Sequence, residues 1–209
     1  MASDKRQRHE SATMAKGFGT GNGETMVTEE RTLSSEMIYE GAILNLRRDK
    51  VTVKDGRRSY REVVEHGGGI VILGLTDEGR IPMIRQYRKP AEQVMLELPA
   101  GKLEKGEDPE EAAKREFREE TGYRAERFRH VAAFYPTVGY SEEILHIFFA
   151  ENLTAGHTDF DENESIEIEE YMPEALYALI DAGEMNDGKT LIALLLFRNQ
   201  ATSTVTCNK

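Results

Sequence analysis

The chain has 209 residues, enough for one to one and a half domains at the usual ~100–200 residues each. Hydrophobic residues make up 39% and charged residues 31%, a balance that suits a soluble globular chain with one sizeable core. The net charge of −11, from 38 acidic and 27 basic residues, argues against a nucleic-acid partner, because phosphate backbones demand a basic footprint.

The N-terminus carries Gly17, Gly19, Gly21 and Gly23 in alternation, little apolar content and no period. Residues 1–32 therefore read as disorder or a non-native extension, and they hold no apolar stretch with a small-residue cleavage site. Residues 45–53, the Asp55-Gly56 turn and residues 59–65 predict an antiparallel hairpin, the centre of an N-terminal β-subdomain over residues 33–66. Gly67, Gly68 and Gly69 lead into the continuous apolar run 70–75, typical of a strand buried on both faces. Strands follow at 81–87 and 94–98, the second stopping at Pro99-Ala100-Gly101, and again at 131–135, 144–150 and 165–171. His66 and His146 sit in strand-like surroundings and read as packing residues.

Three helices are expected. The first runs over residues 108–121. Pro173 opens the second in its first turn and Gly183 closes it. Asn186-Asp187 caps the third, which carries the apolar run 191–197. That run is far shorter than the ~18–20 residues of a membrane span, so no membrane partner is expected. Residues 200–209 are polar, read as a disordered tail, and contain Cys207, the single cysteine of the chain. One thiol builds neither an intramolecular disulfide nor a cysteine-based zinc cage, and the chain reads as cytoplasmic. The alternation of strands with isolated helices predicts a mixed sheet with helices packed on its faces, an α/β or α+β sandwich, with residues 67–199 as its main body.

The first helix carries the chemistry. Asp108 is placed to cap it, Pro109 fits its first position, Glu111 follows in capping-box register, and Gly122 suits the left-handed closing residue. Glu116 is three residues before Glu119 and four before Glu120, so the three carboxylates share one face. Like charges at that spacing repel by a few tenths of a kcal/mol per pair, and they stand near the C-terminus, where the macrodipole disfavours anions. Violations of local rules concentrated on the same residues mark functional sites. A divalent cation relieves both penalties, and carboxylate oxygens without His or Cys suit the hard ions Mg²⁺ or Mn²⁺. Taken alone, the helix is equally an exposed acidic face balanced by Lys114, Arg115 and Arg118.

The spacing around it decides between the two. Gly101, five residues, Glu107, seven residues, Arg115-Glu116, apolar Phe117, any residue, Glu119-Glu120, any residue, Gly122 and apolar Tyr123 fill every fixed position of the Nudix box. The chain resembles a Nudix hydrolase, a family that hydrolyses nucleoside diphosphates linked to another moiety with the help of divalent metal. The resemblance implies an α/β/α sandwich around a mixed sheet. It implies Glu116 and Glu120 as principal metal ligands, with Glu119 and the backbone carbonyl of Ala100 beside them. Arg115 and Glu107 are then expected to orient the glutamates.

Beyond the box, the stretches 60–66, 84–88, 96–101, 133–135 and 139–143 and the acidic loop 161–164 resemble the ADP-ribose pyrophosphatase branch. The resemblance gives Arg61, Glu62 and Arg88 roles at the nucleotide and diphosphate, and Glu143 a place on the ribose or diphosphate side. It makes Glu162 the general base and Glu164 a further metal ligand, with the two roles exchangeable. It also implies a homodimer in which the N-terminal sheet exchanges between subunits and completes the nucleotide site. No adenine-stacking aromatic is evident near residues 41–44, and Tyr39 is the candidate nearby. The branch carries a proline sixteen residues after the last box glycine, where this chain has Val138, with Pro136 two residues earlier. The pocket around the terminal ribose is expected to differ accordingly.

The expected activity is Mg²⁺-dependent hydrolysis of ADP-ribose to AMP and ribose 5-phosphate. The alternatives are another nucleoside diphosphate sugar, such as ADP-glucose or GDP-mannose, a housecleaning triphosphatase, and an ADP-ribose-binding module without catalysis. The intact Glu116, Glu119 and Glu120 and the lack of an appended basic helical module speak against the last.

Overall fold

In the computed structural model, residues 28–159 and 165–206 are described. The chain opens with β1 (Arg31–Glu40), β2 (Asn45–Thr52) and β3 (Arg58–Glu65), an antiparallel three-stranded sheet in the order β1-β2-β3. A four-stranded sheet follows, built from β4 (Gly69–Gly74), β7 (Ala100–Lys102), β8 (Arg124–Phe134) and β9 (Leu145–Thr154) in the order β7-β4-β9-β8. A third sheet places β5 (Ile81–Arg88) between β10 (Ile166–Tyr171) and β6 (Gln93–Glu97). The helices are α1 (Pro109–Thr121), α2 (Pro173–Asp181) and α3 (Gly188–Thr206).

The layers follow from the period of two in β4 and β9. Ile70 and Ile72, with Phe148 and Ala150, face α1 through Ala112, Ala113 and Phe117. Val71 and Leu73, with Ile147 and Phe149, face the other way, toward Ile81, Met83 and Leu98 and the helical residues Leu176, Ala193 and Leu194. The apolar run is thus buried on both sides from Ile70 to Gly74, as its lack of alternation implies, while Leu75 beyond the strand is exposed. Strands β4 and β9 pair in parallel and their neighbours antiparallel, so the sheet is mixed and lies between α1 and the β10-β5-β6, α2, α3 layer.

Three elements depart from the sequence reading. β1 begins at Arg31, inside the segment read as separate from the fold. All ten of its residues are exposed and its register slips between Thr32 and Ser34 and between Met37 and Tyr39, so no buried face imprints a period on it. β8 starts at Arg124, well before residue 131, and a bulge between His130 and Ala132 breaks the alternation that would have announced it. α3 continues to Thr206, through the first residues of the segment read as a tail. Neither glycine nor proline follows Phe197 before Thr206, so nothing in the sequence stops the helix where its apolar pattern ends. The remainder of both terminal segments lies outside the described residues.

Phe117 is fully buried and packs edge-on against Phe128 at 6.1 Å between ring centres. Phe117→Ala is expected to cost about 3–5 kcal/mol of stability. In urea unfolding this appears as a lowered midpoint with an unchanged slope.

Candidate active site

Helix α1 begins as its sequence dictates. Asp108 Oδ1 accepts from the N–H groups of Glu110 (2.9 Å) and Glu111 (3.3 Å), with Pro109 in the first turn. The Glu111 side chain turns to Lys114 (2.8 Å). At the other end Gly122 takes φ +74° and donates its N–H to the Arg118 carbonyl (2.8 Å), a left-handed closure for which glycine is suited. Between these caps the apolar stripe faces the sheet, and the acidic face overhangs β7.

The three helix carboxylates are held differently. Glu120 is 4% exposed, and its Oε2 accepts the Ala100 N–H at 2.9 Å. Glu116 lies against Gly101, where any Cβ would collide with its Cδ and Oε1. Arg115 reaches Glu116 Oε1 through Nη1 (2.7 Å) and forks onto both oxygens of Glu107 at 3.0 Å. That hydrogen bond from Arg115 is the main reason the Glu107 carboxyl titrates below the usual range. Glu119 accepts from Arg118 Nη2 (2.8 Å) and, more distantly, from Arg115 Nη1 (3.4 Å).

Ala100, Arg115, Glu116, Glu119 and Glu120 line one cleft of about 510 Å³, together with Arg88 and Glu143. Seven of the residues singled out in the sequence, from four separate stretches of chain, therefore meet. Glu162 and Glu164 lie outside the described residues, although Asp159, just before that stretch, lines the cleft and donates its N–H to the Glu119 carbonyl (2.9 Å). Arg61 and Glu62 stand on β3 and take no part in the cleft wall. Arg61 donates to Ser59 Oγ (3.1 Å), the Tyr60 carbonyl (2.8 Å) and Glu30 Oε1 (2.5 Å). Tyr39 is exposed on β1, and Ile43 is the residue of that segment that reaches the cleft.

The loop that carries Val138 is tied down by backbone bonds. The Val64 N–H donates to the Tyr140 carbonyl (2.7 Å), and the Glu142 N–H donates to the Val64 carbonyl (3.1 Å). Val138 itself is 78% exposed. Glu143, which follows Glu142, faces His66 Nδ1 at 3.4 Å, and that nitrogen accepts the Gly68 N–H at 3.1 Å. His66, read from sequence as a packing residue, is thus part of the cleft wall. Its place at the end of β3, directly before the glycines that lead into β4, was the available signal. His146 is half-buried beside His130 (3.3 Å between ring nitrogens), and burial lowers its pKa.

Sequence reasoning also missed Glu97 and Lys189. Glu97 ends β6 with a side chain 1% exposed, bound by both Arg88 and Lys189. Burial alone would raise its pKa, but the Arg88 hydrogen bond and the Lys189 charge reverse this and hold it below the ordinary carboxylate value. Lys189 stands in the first turn of α3 and lines the cleft.

As a donor set, the helix carboxylates and the Ala100-Gly101 backbone offer only oxygen, which suits a hard divalent cation. The bare Gly101 backbone leaves room for the Glu116 carboxylate to lie against this loop. Among the described residues no three acidic, His or Cys side chains converge closely enough to hold an ion by themselves. Arginines hold Glu116 and Glu119 in this arrangement, so an ion competes with Arg115 and Arg118 for them.

Gly101→Ala is expected to displace the Glu116 carboxylate, lowering turnover by about 10²-fold while the far-UV circular dichroism spectrum stays unchanged. The depressed Glu97 pKa makes a second prediction. Its contribution to stability is present above the unfolded-state value of about 4.3 and is lost as pH falls through the folded-state value. The Tm difference between wild type and Glu97→Gln should therefore shrink on acidification below about pH 4.3.

Residues 65–194 match the NUDIX domain, and residues 30–64 match the nucleoside diphosphate sugar hydrolase N-terminal domain. An ADP-ribose pyrophosphatase of Bacillus subtilis is 42% identical over 168 residues, 79% of this chain and 91% of that protein. A methanol dehydrogenase activator of Bacillus methanolicus is 38% identical over the same shares of the two chains. A GDP-mannose pyrophosphatase of Yersinia enterocolitica is 34% identical over 66% of this chain and 76% of its own. In three dimensions the fold matches a crystal structure of an ADP compounds hydrolase with a TM-score of 0.76 at 20% identity, covering 87% of this chain and 98% of the other. With its complete box on α1 and this sandwich around it, the chain belongs to the Nudix hydrolase family.

Proposed function

We propose that the protein hydrolyses the diphosphate of ADP-ribose to AMP and ribose 5-phosphate, with Mg²⁺ as the cation and Mn²⁺ as its substitute. The observation that carries this reading is the convergence of Glu116, Glu119, Glu120, the Ala100-Gly101 loop and Arg88 on one cleft large enough for part of a nucleotide sugar. The 42% identity with an ADP-ribose pyrophosphatase over most of both chains supports the choice of substrate.

In this mechanism Glu116 and Glu120, with Glu119, Glu164 and the Ala100 carbonyl, would hold the metal. The cation, when bound, neutralises the diphosphate and acidifies a bound water. Arg115 keeps Glu116 oriented through its hydrogen bond to Oε1. Arg88 and Glu143 bind the substrate, with the Arg88 guanidinium toward the diphosphate. Glu162 takes a proton from the attacking water. The water oxygen bonds to one phosphorus, the bridging P–O bond breaks, and the bridging oxygen leaves on the other phosphate. Asp159 lines the cleft three residues before Glu162 in the sequence, which supports these two assignments.

A homodimer belongs to the same reading. Leu33, Met37, Ile38 and Tyr39 are exposed on β1, and Arg61 and Glu62 lie off their own chain's cleft. A second subunit covers that apolar strand and brings the two polar residues to its neighbour's nucleotide site. A small-molecule substrate, the homodimer and a cytoplasmic location together complete the proposal. Among the described residues no helix is long and apolar enough to cross a membrane.

The second reading keeps the chemistry and changes the sugar. The relation to GDP-mannose pyrophosphatases favours it, as does Val138 at the usual proline position of the ribose-side loop. Phosphate release coupled to alkaline phosphatase, across ADP-ribose, ADP-glucose, GDP-mannose, NADH, diadenosine polyphosphates and 8-oxo-dGTP with Mg²⁺, separates the two. The highest kcat/KM is expected for ADP-ribose, and a lead for another sugar moves the substrate without moving the chemistry. On the best substrate, Glu120→Gln is expected to cut turnover by about 10²-fold or more with the fold intact, and near wild-type rates would remove the metal assignment. Glu162→Gln should slow turnover more than it weakens metal binding, and Glu164→Gln the reverse.

A further inference from the structure

Glu97 is a buried carboxylate that the reaction does not use directly. It ends β6, three residues before Ala100, and its side chain is 1% exposed. Arg88, the last residue of β5, grips it side-on, with Nε to Oε1 at 2.7 Å and Nη2 to Oε2 at 2.8 Å. The same Oε2 accepts from Lys189 Nζ, which also donates to Asp187 Oδ2 at 2.9 Å. Asp187 in turn receives the Thr190 N–H (3.0 Å), and Thr190 Oγ1 receives the Leu98 N–H (2.8 Å). The start of α3 is thereby bolted to the end of β6.

The geometry of the Arg88 fork sets what remains for a ligand. Glu97 engages the edge formed by Nε and Nη2, leaving the Nη1 hydrogens and the outer Nη2 hydrogen uncommitted to it. Glu97 is buried while Arg88 is 38% exposed and lines the cleft, so the carboxylate sits behind the guanidinium. A lone buried carboxylate beside one arginine would consume that arginine's charge. Lys189, itself shared with Asp187, gives Glu97 a second cation, so Arg88 is not the sole counter-ion of Glu97 and its free edge stays open to the cleft.

We infer that Glu97 and Lys189 are positioning residues that present the free edge of Arg88 to the substrate diphosphate, an inference that rests on the diphosphate-hydrolase reading above. The competing role is a staple that ties α3 to β6 and affects stability alone.

A double-mutant cycle distinguishes the two. The variants are Arg88→Ala, Glu97→Gln, Lys189→Met, Lys189→Arg and the combinations of Arg88→Ala with Glu97→Gln and with Lys189→Met. Each full-length protein is assayed for kcat, KM and Tm on whichever nucleoside diphosphate sugar the wild type hydrolyses fastest. Glu97→Gln and Lys189→Met are each expected to lower kcat/KM by about 10- to 100-fold, mainly through KM, the cost of a charge-assisted hydrogen bond. In the Arg88→Ala background each should cost less than about twofold, because the residue through which they act is gone. Lys189→Arg should restore most of the Lys189→Met loss.

Equal losses with and without Arg88, or a fall in Tm with kcat/KM unchanged, overturns the inference. If Glu97→Gln does not fold, the Lys189→Met arm carries the same test. Wild-type turnover is read separately: a protein that hydrolyses no nucleoside diphosphate sugar removes the functional reading itself, whereas additive losses in an active enzyme remove only the positioning role.

Discussion

Helix α1 lies as close to its sheet as it does because two residues beneath it have no side chains. At Gly74 on β4 a Cβ would come within 2.6 Å of Phe117 Cζ, and at Gly101 on β7 it would meet the Glu116 carboxylate. The first contact lets the Phe117 ring reach the sheet and complete the core on that face. The second brings the acidic face down onto the strand that carries Ala100, whose N–H meets Glu120. Core and site thus share one helix–sheet distance. A methyl group at Gly74 would meet the buried Phe117 ring, and one at Gly101 would displace the Glu116 carboxylate.

The acidic face has an electrostatic cost, and the structure offsets it locally. Three carboxylates on one helix face near its C-terminus repel one another and the helix dipole. Arg115 spans Glu107, Glu116 and Glu119, and Arg118 takes the far oxygen of Glu119. These bonds hold the side chains in register while leaving them at the cleft wall. A net charge of −11 makes such arginines useful beyond their pairwise energy, since exposed ion pairs contribute little by themselves. Their effect here is orientation.

Two further residues of the cleft wall are organised by a carboxylate of another kind. Glu97 is buried, and it gathers Arg88 from β5 and Lys189 from α3. The cleft wall therefore combines the carboxylates of helix α1 with two cations, Arg88 and Lys189, that are themselves paired with Glu97 and Asp187. The N-terminal sheet stands outside this arrangement within one chain, with its apolar strand β1 exposed along its whole length.

Much of this was legible in the sequence. The caps of α1, the shared face of Glu116, Glu119 and Glu120, and the doubly buried strand at residues 70–74 follow from short-range rules, because each depends on neighbours within a turn or a strand. The resemblance to the Nudix box tied Gly101 and Glu107 to that helix. Strand β1 was illegible, since without a buried face and with two register slips it carries no period. The extent of β8 was hidden by its bulge. His66, Glu97 and Lys189 escaped as well, for a single physical reason. Each owes its role to partners far along the chain, Glu143 for His66 and a lysine ninety-two positions away for Glu97. Local pattern determined the helix, its charges and the chemistry they suit. Only the packing of β5, β6 and α3 decided which cations share the cleft with them, because burial and long-range pairing are set by the folded chain as a whole.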